Sequence, residues 1–458
     1  MLSKEENELL TRVGPGTPMG NLWRRFWLPA ILSNEITPDS PPVRLRILGE
    51  DLIAFRDTSG SVGITAAYCS HRRAPLYYGR NEECGIRCSY HGWKFDVKGH
   101  CIDMPNVNNT RNLDNMKARC GIPAYPTKEA GGVVWIYMGP SDKQPTLPQL
   151  EWIGLPEEFR HVSRWIQRTS YLQGVEGEID SSHISFLHRD FKPDADAKQH
   201  RGKDLAVDGA PELTVHQTEY GFRYGSRRDA PQGGSLWRLT QWMVPMYSLI
   251  PKAPSDTFTH GAGRAWVPID DNHTTTFSYN FRVDAPLEPE ELELFNNGSF
   301  FPPRIEKGKF TLQDGYVIDT YLPLANKENE YLIDRNLQRT HNFTGIWGAN
   351  EQDRSLQENM QGSGLAGRGI VDRTQEHLVG ADIAIVTARK ILLKLIKDLE
   401  QGIEPTACTN GDLYAVRAIS HVTDITDFSE FEQAYGHLAV VPGKTETGPA
   451  KEDVGRAL

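Results

Sequence analysis

At 458 residues the chain is longer than the size at which one core stops growing, so two domains are expected. A net charge of −10 with no long basic run excludes a protein that tracks a nucleic-acid backbone. No run of about 18 apolar residues could span a bilayer, the opening MLSKEENELLTRVG lacks an apolar signal region, and the six cysteines do not suggest a disulfide framework, so a soluble, cytoplasmic protein is expected.

Residues 1–42 begin with a polar, helical segment and continue through Trp23, Phe26, Trp27 and Pro29, which should pack on a larger body. From Val43 the texture changes to short alternating runs: 43–48, 51–57 and 62–68 read as strands, with Gly49 and Gly60 at turns. Residues 132–139 (GVVWIYMG) close this stretch as another strand, so 43–140 is predicted to be a small all-β domain.

Two mixed ligand pairs stand on loops of that domain: Cys69 with His71 (C-x-H), and Cys88 with His91 (C-x2-H), the latter followed by Gly92-Trp93. Two thiolates and two imidazoles suit an asymmetric [2Fe–2S] cluster, with sulfur on one iron and nitrogen on the other. That exchange raises the reduction potential to roughly −150 to +300 mV, against about −400 mV for all-thiolate plant-type clusters. The competing reading is a zinc site of two cysteines and two histidines. Zinc pairs usually run like with like, whereas each pair here is mixed.

Residues 141–152 form a proline-rich linker, and 153–442 are predicted to be a second, larger domain. Within it, 214–226, 236–244 and 273–283 read as antiparallel sheet, and 289–297 opens a polar helical stretch. In SYLQGVEGEIDSSHISFLHRDF, Asp180, His183 and His188 give D-x2-H-x4-H. On a helical wheel His183 falls roughly 60° to one side of Asp180 and His188 about 80° to the other. Two imidazoles and a carboxylate on one face match the facial triad of non-haem Fe(II) oxygenases. In isolation, histidines on a helix are more often structural. Residues 374–400 carry apolar residues mostly at three- and four-residue intervals and read as one long helix ended by Gly402. The tail 443–458 is polar and expected to be disordered.

Taken together, C-x-H-R, C-x-x-H-G-W and D-x2-H-x4-H resemble the Rieske non-haem iron aromatic oxygenases, specifically the oxygenase (α) component of the phthalate-dioxygenase-like group. The resemblance runs through nearly all of 1–400. It implies an α+β protein: a small all-β Rieske domain, and a larger catalytic domain with an antiparallel sheet covered by helices, of the star-related helix-grip type, on which 1–42 packs. It implies mononuclear iron on His183 and His188, with Asp180 as an electron bridge to a cluster histidine of the neighbouring subunit. The competing reading of Asp180 is a carboxylate favoured by a helix N-terminus. The third iron ligand falls on Asp382, with Asp372 and Glu376 as competitors. A homo-trimer or hexamer is implied, as is a separate NAD(P)H-dependent reductase carrying flavin and a plant-type cluster. This chain has no G-x-G-x-x-G after a strand to bind NAD(P)H itself.

The resemblance points to reaction of O2 with an aromatic acid, by ring hydroxylation of a phthalate- or benzoate-like substrate. Oxidative O-demethylation of a methoxylated acid by the same iron is the alternative. A carboxylated substrate would want a guanidinium, and Arg227, Arg228 and Arg238 are candidates that otherwise read as solvated strand charges. A Rieske electron carrier without oxygenase activity would need only 43–140, so the long remainder speaks against it.

Overall fold

A computed structural model describes residues 2–108, 112–191, 208–299, 301–360 and 370–444. Apart from 443 and 444, the tail expected to be disordered lies outside these residues. The alternating run Val43–Ile47 becomes a strand in which Val43, Leu45 and Ile47 are buried, paired antiparallel to Glu50–Arg56 and through it to Val62–Ala66 and Ala124–Tyr125. A second four-stranded sheet of very short strands, from Arg80 to Asp103, carries the other metal-ligand loop.

The segment 1–42 does not behave as one unit. Its helix Lys4–Thr11, with Ser3 and Glu6 closing a reciprocal cap, packs on the long helix of the catalytic domain. Its strand Trp27–Leu32 instead pairs with Val133–Tyr137, every residue of both strands being buried. A run such as WLPAIL has no polar face to offer water, so it must be covered on both sides. The linker is pinned at its end: Trp152 is buried, stacked 4.8 Å from Tyr279 and 6.1 Å from Trp135.

The larger domain is built on an open, antiparallel eight-stranded sheet. Its spatial order is Arg160–Gln167, Thr274–Arg282, His260–Pro268, Tyr247–Leu249, Ser235–Met243, Gly221–Asp229 and Glu212–Thr218. Ile419–Thr423 pairs with the first half of Ser235–Met243. The predicted run 214–226 is two strands of a hairpin turning at 219–220. One sheet face carries Trp237, on which Phe428 and Phe431 stack. The opposite face meets the helix Tyr171–Ile179, where a side chain at Gly174 would collide with the Trp266 indole at 2.1 Å. Glycine is there for close approach of helix to sheet.

The long helix is Ile383–Glu400, shorter than predicted, because 373–375 and 380–382 are separate 3₁₀ turns. Ala384, Ala388, Leu392 and Ile396 form its buried stripe at four-residue spacing. A buried ion network ties it to Tyr171–Ile179: Glu176 accepts from Arg389 Nε (2.7 Å) and Arg373 Nη2 (2.9 Å). Removing one partner would strand a buried charge, at a cost of about 3–5 kcal/mol. The hairpin Ile305–Thr311/Val317–Pro323 ties the two domains through Arg44, which donates to Asp319 at 2.9 and 3.1 Å.

Candidate metal centres

The first centre is made by local chain geometry. Cys69 N donates to the Ala74 carbonyl and Arg73 N to that of Cys69, both at 2.9 Å, closing one turn; Arg73 sits at φ +60. In the other, Cys88 N donates to the Trp93 carbonyl (2.7 Å) and Gly92 N to that of Cys88 (2.9 Å). Gly92 has φ +78, and a Cβ there would stand 2.6 Å from Pro105, so no other residue fits. Trp93 Nε1 donates to Asn106 (2.8 Å), and the ring stacks on His71 at 4.6 Å and 11°. His71 and His91 lie edge to face, centroids 4.6 Å apart. Both cysteines are buried, and burial pushes the Cys69 thiol up to about 11. A thiolate forms there only against a metal, which deprotonates its ligand outright.

A tetrahedral zinc ion brings its ligand atoms within roughly 3.3–3.8 Å of one another. Among the described residues, one set of three or more metal-binding side chains converges within 4.8 Å, and these four residues are not it. The mixed thiolate–imidazole pairs on two separate turns suit a two-iron cluster with sulfur on one iron and nitrogen on the other.

The convergent set is His183, His188 and Asp353. The helix Tyr171–Ile179 ends at Asp180, and the one-turn helix Ile184–Leu187 begins after His183 and ends at His188. The three motif residues therefore do not share one helix face; the chain breaks at Asp180, and the imidazoles meet across a single turn with centroids 5.2 Å apart. Asp180 Oδ1 accepts from Ser182 N and Ser182 Oγ, both at 2.8 Å, and from His183 N at 3.3 Å. Its Oδ2 stands 3.6 Å from His183 Nδ1. Asp180 thus caps the short helix and faces an imidazole at once.

Asp353 comes from the helix Ala349–Gln357. Its Oδ1 lies 3.2 Å from His188 Nε2 and 3.6 Å from His183 Nε2. His188 Nδ1 sits 2.6 Å from Gln352 Oε1, and Gln352 Nε2 donates to the Ile346 carbonyl (3.0 Å). In that chain His188 Nδ1 donates to Gln352, which turns Nε2 toward Asp353, where a bound metal would replace its proton. Burial alone would push the His183 imidazolium down, but Asp180 and Asp353 outweigh it and raise its pKa to about 9. Burial works against the Asp353 carboxylate too, yet His188 and His183 hold it below its ordinary range. The pocket is built for positive charge, and two imidazole nitrogens with one carboxylate fit a ferrous ion.

Asp382 does not reach this site. Its carboxylate accepts from Val379 N (2.7 Å), capping the turn before the long helix. Asp372 caps Thr374 (3.1 Å), and Glu376 pairs with Arg389 (2.6 Å). The expectation at Asp382 came from the resemblance, which put the third ligand at the long C-terminal helix; the carboxylate that meets the histidines stands instead on the polar helix Ala349–Gln357. Ala349–Gln357 buries Asn350, Glu351, Gln352, Asp353 and Arg354. The signal available in the sequence was NEQDR itself, a polar run with nothing apolar to fold against.

The three arginines separate. Arg227 lies on the sheet face away from the histidines and pairs with exposed Glu212 (2.5 Å). Arg228, on the near face and buried, donates to the Ser181 carbonyl (2.6 Å) and the Asp208 carbonyl (3.1 Å), holding the turn between Asp180 and His183. Arg238 donates to the Pro251 carbonyl at 3.0 Å. Beside them Glu178 accepts from Arg264 (2.8 Å) and Ser248 (2.9 Å), docking the helix on the sheet.

Comparison with known proteins agrees with this division. Residues 26–126 match the Rieske [2Fe-2S] domain, and 136–438 match the LigXa C-terminal domain like family. The chain is 37% identical over 425 residues to the 3-chlorobenzoate-3,4-dioxygenase oxygenase subunit of Comamonas testosteroni, covering 90% of this chain and 93% of that one. It is 38% identical to the phthalate 4,5-dioxygenase oxygenase subunit of Pseudomonas putida, covering 88% of each. The 5,5'-dehydrodivanillate O-demethylase oxygenase subunit of a Sphingobium species is 36% identical over 63% of this chain and 65% of its own length. Among solved structures, dicamba monooxygenase bound to dicamba shares the fold, with TM-score 0.56 at 17% identity over 83% of this chain and 98% of that one.

Proposed function

The chain belongs to the Rieske non-haem iron oxygenases as an oxygenase subunit, carrying a [2Fe–2S] cluster and mononuclear iron, and from there we propose that it hydroxylates the ring of a phthalate- or benzoate-like acid. One observation carries the reading: His183, His188 and Asp353 converge in a chain more than a third identical to chlorobenzoate and phthalate oxygenase subunits. O-demethylation of a methoxylated aromatic acid is the second reading, favoured by the similarity to the dehydrodivanillate O-demethylase subunit.

We assign Cys69, His71, Cys88 and His91 to the cluster, and His183, His188 and Asp353 to the mononuclear iron. Bound there, the cluster supplies single electrons and the ferrous ion supplies the centre at which O2 is activated. Asp353 neutralises one positive charge where both Nε2 atoms point. Gln352 and Asp180 hold the outer nitrogens of the two imidazoles, which fixes each ring's orientation and raises its basicity.

Asp180, its side chain 24% exposed, is the bridge through which the imidazole of His183 connects to a cluster histidine of a neighbouring protomer. A contact of that head-to-tail kind closes on itself in a ring, which supports a homo-trimer or a hexamer of two such rings. Tyr78 and Tyr90, 68% and 58% exposed near the cluster loops, support a surface that meets another protein. The electron source is a separate reductase with flavin and a plant-type cluster. Among the described residues no helix is long and apolar enough to cross a membrane. The free thiols of Cys84, Cys101, Cys120 and Cys408 support a reducing, cytoplasmic setting.

The test is O2 uptake with a surrogate reductase across benzoates, phthalates and methoxybenzoates. A cis-diol product supports ring hydroxylation, and formaldehyde supports demethylation. Protein that binds zinc alone and holds no acid-labile sulfide would overturn both.

A further inference from the structure

Among the described residues, the sheet face beneath the two histidines holds a cation with no carboxylate to match. Leu236, Arg238 and Thr240 alternate on this face of their strand, in register with Arg228, Ser226 and Tyr224 of the next. Leu236 packs with Ile184, the residue after His183, which places this patch of the sheet against the iron-binding turn. Arg238 is two residues along from that contact.

Among the described residues no carboxylate pairs with Arg238; one guanidinium nitrogen donates to the Pro251 carbonyl and fixes the head group. Directly across from it, the Ser226 hydroxyl is buried without a hydrogen-bond partner, in a residue 1% exposed. Desolvation, with Arg228 nearby, pushes the Arg238 guanidinium down to about 10. A partly exposed cation and an orphan buried hydroxyl in register each lack what a carboxylate provides: negative charge and acceptor atoms in a plane that a guanidinium meets with two parallel bonds. The other two arginines are already committed, one to Glu212 and one to backbone carbonyls.

We propose that Arg238, with Ser226 beside it, is the subsite that takes the carboxylate of the aromatic substrate and thereby turns the ring toward the iron. The proposal rests on the aromatic-acid reading above. It requires that the acid be recognised by charge and not merely by ring shape.

The experiment is equilibrium binding, without reductant, of benzoate, phthalate and neutral methyl benzoate to the cluster- and iron-loaded protein by calorimetry. Wild type is expected to bind the acids at least about tenfold more tightly than the ester. Arg238→Gln should weaken the acids by about 10- to 100-fold, the range of a lost charged hydrogen bond, while the ester changes by less than about twofold. Arg238→Lys should recover part of the loss, and Ser226→Ala should lose about threefold for the acids only. If wild type prefers the acids and Arg238→Gln binds them as tightly, or loses acids and ester alike, the role of Arg238 is wrong and the substrate class stands. If wild type binds ester and acid equally, the aromatic-acid reading itself falls. Should Arg238→Gln lose the visible absorption of the cluster, Arg238→Lys and Ser226→Ala decide by the same criterion.

Discussion

The two metal centres are made in opposite ways. All four residues assigned to the cluster lie within 69–91, in turns closed by backbone hydrogen bonds that span no more than five residues. The iron site joins a broken helix at 180–188 to a second helix at 349–357, and neither can place its side chains alone. Its donors are aligned by partners from other parts of the chain: Gln352 for His188, Arg228 for the turn at Ser181. A centre built from local turns tolerates change in the distant fold, whereas one built across elements inherits every error in their packing.

The sharpest way to break this comparison is to remove one ligand from each centre. Asp353→Ala is expected to abolish mononuclear iron and turnover, a loss beyond the roughly 100-fold ceiling of outer-sphere changes, while the visible cluster spectrum persists. Cys88→Ser should do the reverse, losing the cluster absorption while iron binding at His183 and His188 remains. Metal analysis alongside spectra on both variants checks the pair; loss of both metals in either variant would mean that the centres are not independent.

Below these in size is Gln352→Leu, which removes the acceptor for His188 Nδ1–H. Iron affinity should fall about 10- to 100-fold with the cluster unchanged. Equal affinity would mean that the helix, not the hydrogen bond, orients the ring.

A pH measurement probes the large sheet domain separately. Burial against Phe295 (5.0 Å) pushes His161 down to about 4, below the histidine range near 6.5. As pH falls from about 6.5, the unfolded chain takes up a proton that the folded chain refuses until about 4, so stability falls across that window by up to about 3 kcal/mol. His161→Phe should remove that part of the acid sensitivity, read as a smaller drop in denaturation midpoint between pH 7 and pH 5.

The smallest effect is expected at Asp382→Ala. Loss of the cap on Val379 N should cost about 1 kcal/mol of stability and leave iron content and turnover as in wild type. Loss of iron in this variant would restore Asp382 to the metal site and displace Asp353.

The sequence by itself carries the two Cys–His pairs, the two imidazoles that meet Asp353, the order of domains and most of the sheet strands. Each of these is written in spacing over a few residues: C-x-H, H-x4-H, or alternation along one strand. It did not reveal Asp353 as the carboxylate that meets the two histidines, the pairing of Trp27–Leu32 with Val133–Tyr137, or which of three arginines faces the histidines with no carboxylate partner among the described residues. Those depend on which distant segment is brought opposite which, and apolar periodicity points to helices that fill the core, not to a polar helix buried because its side chains have a site to serve. Only packing of the whole chain settles that, because a buried carboxylate is tolerated where cations meet it and nowhere else.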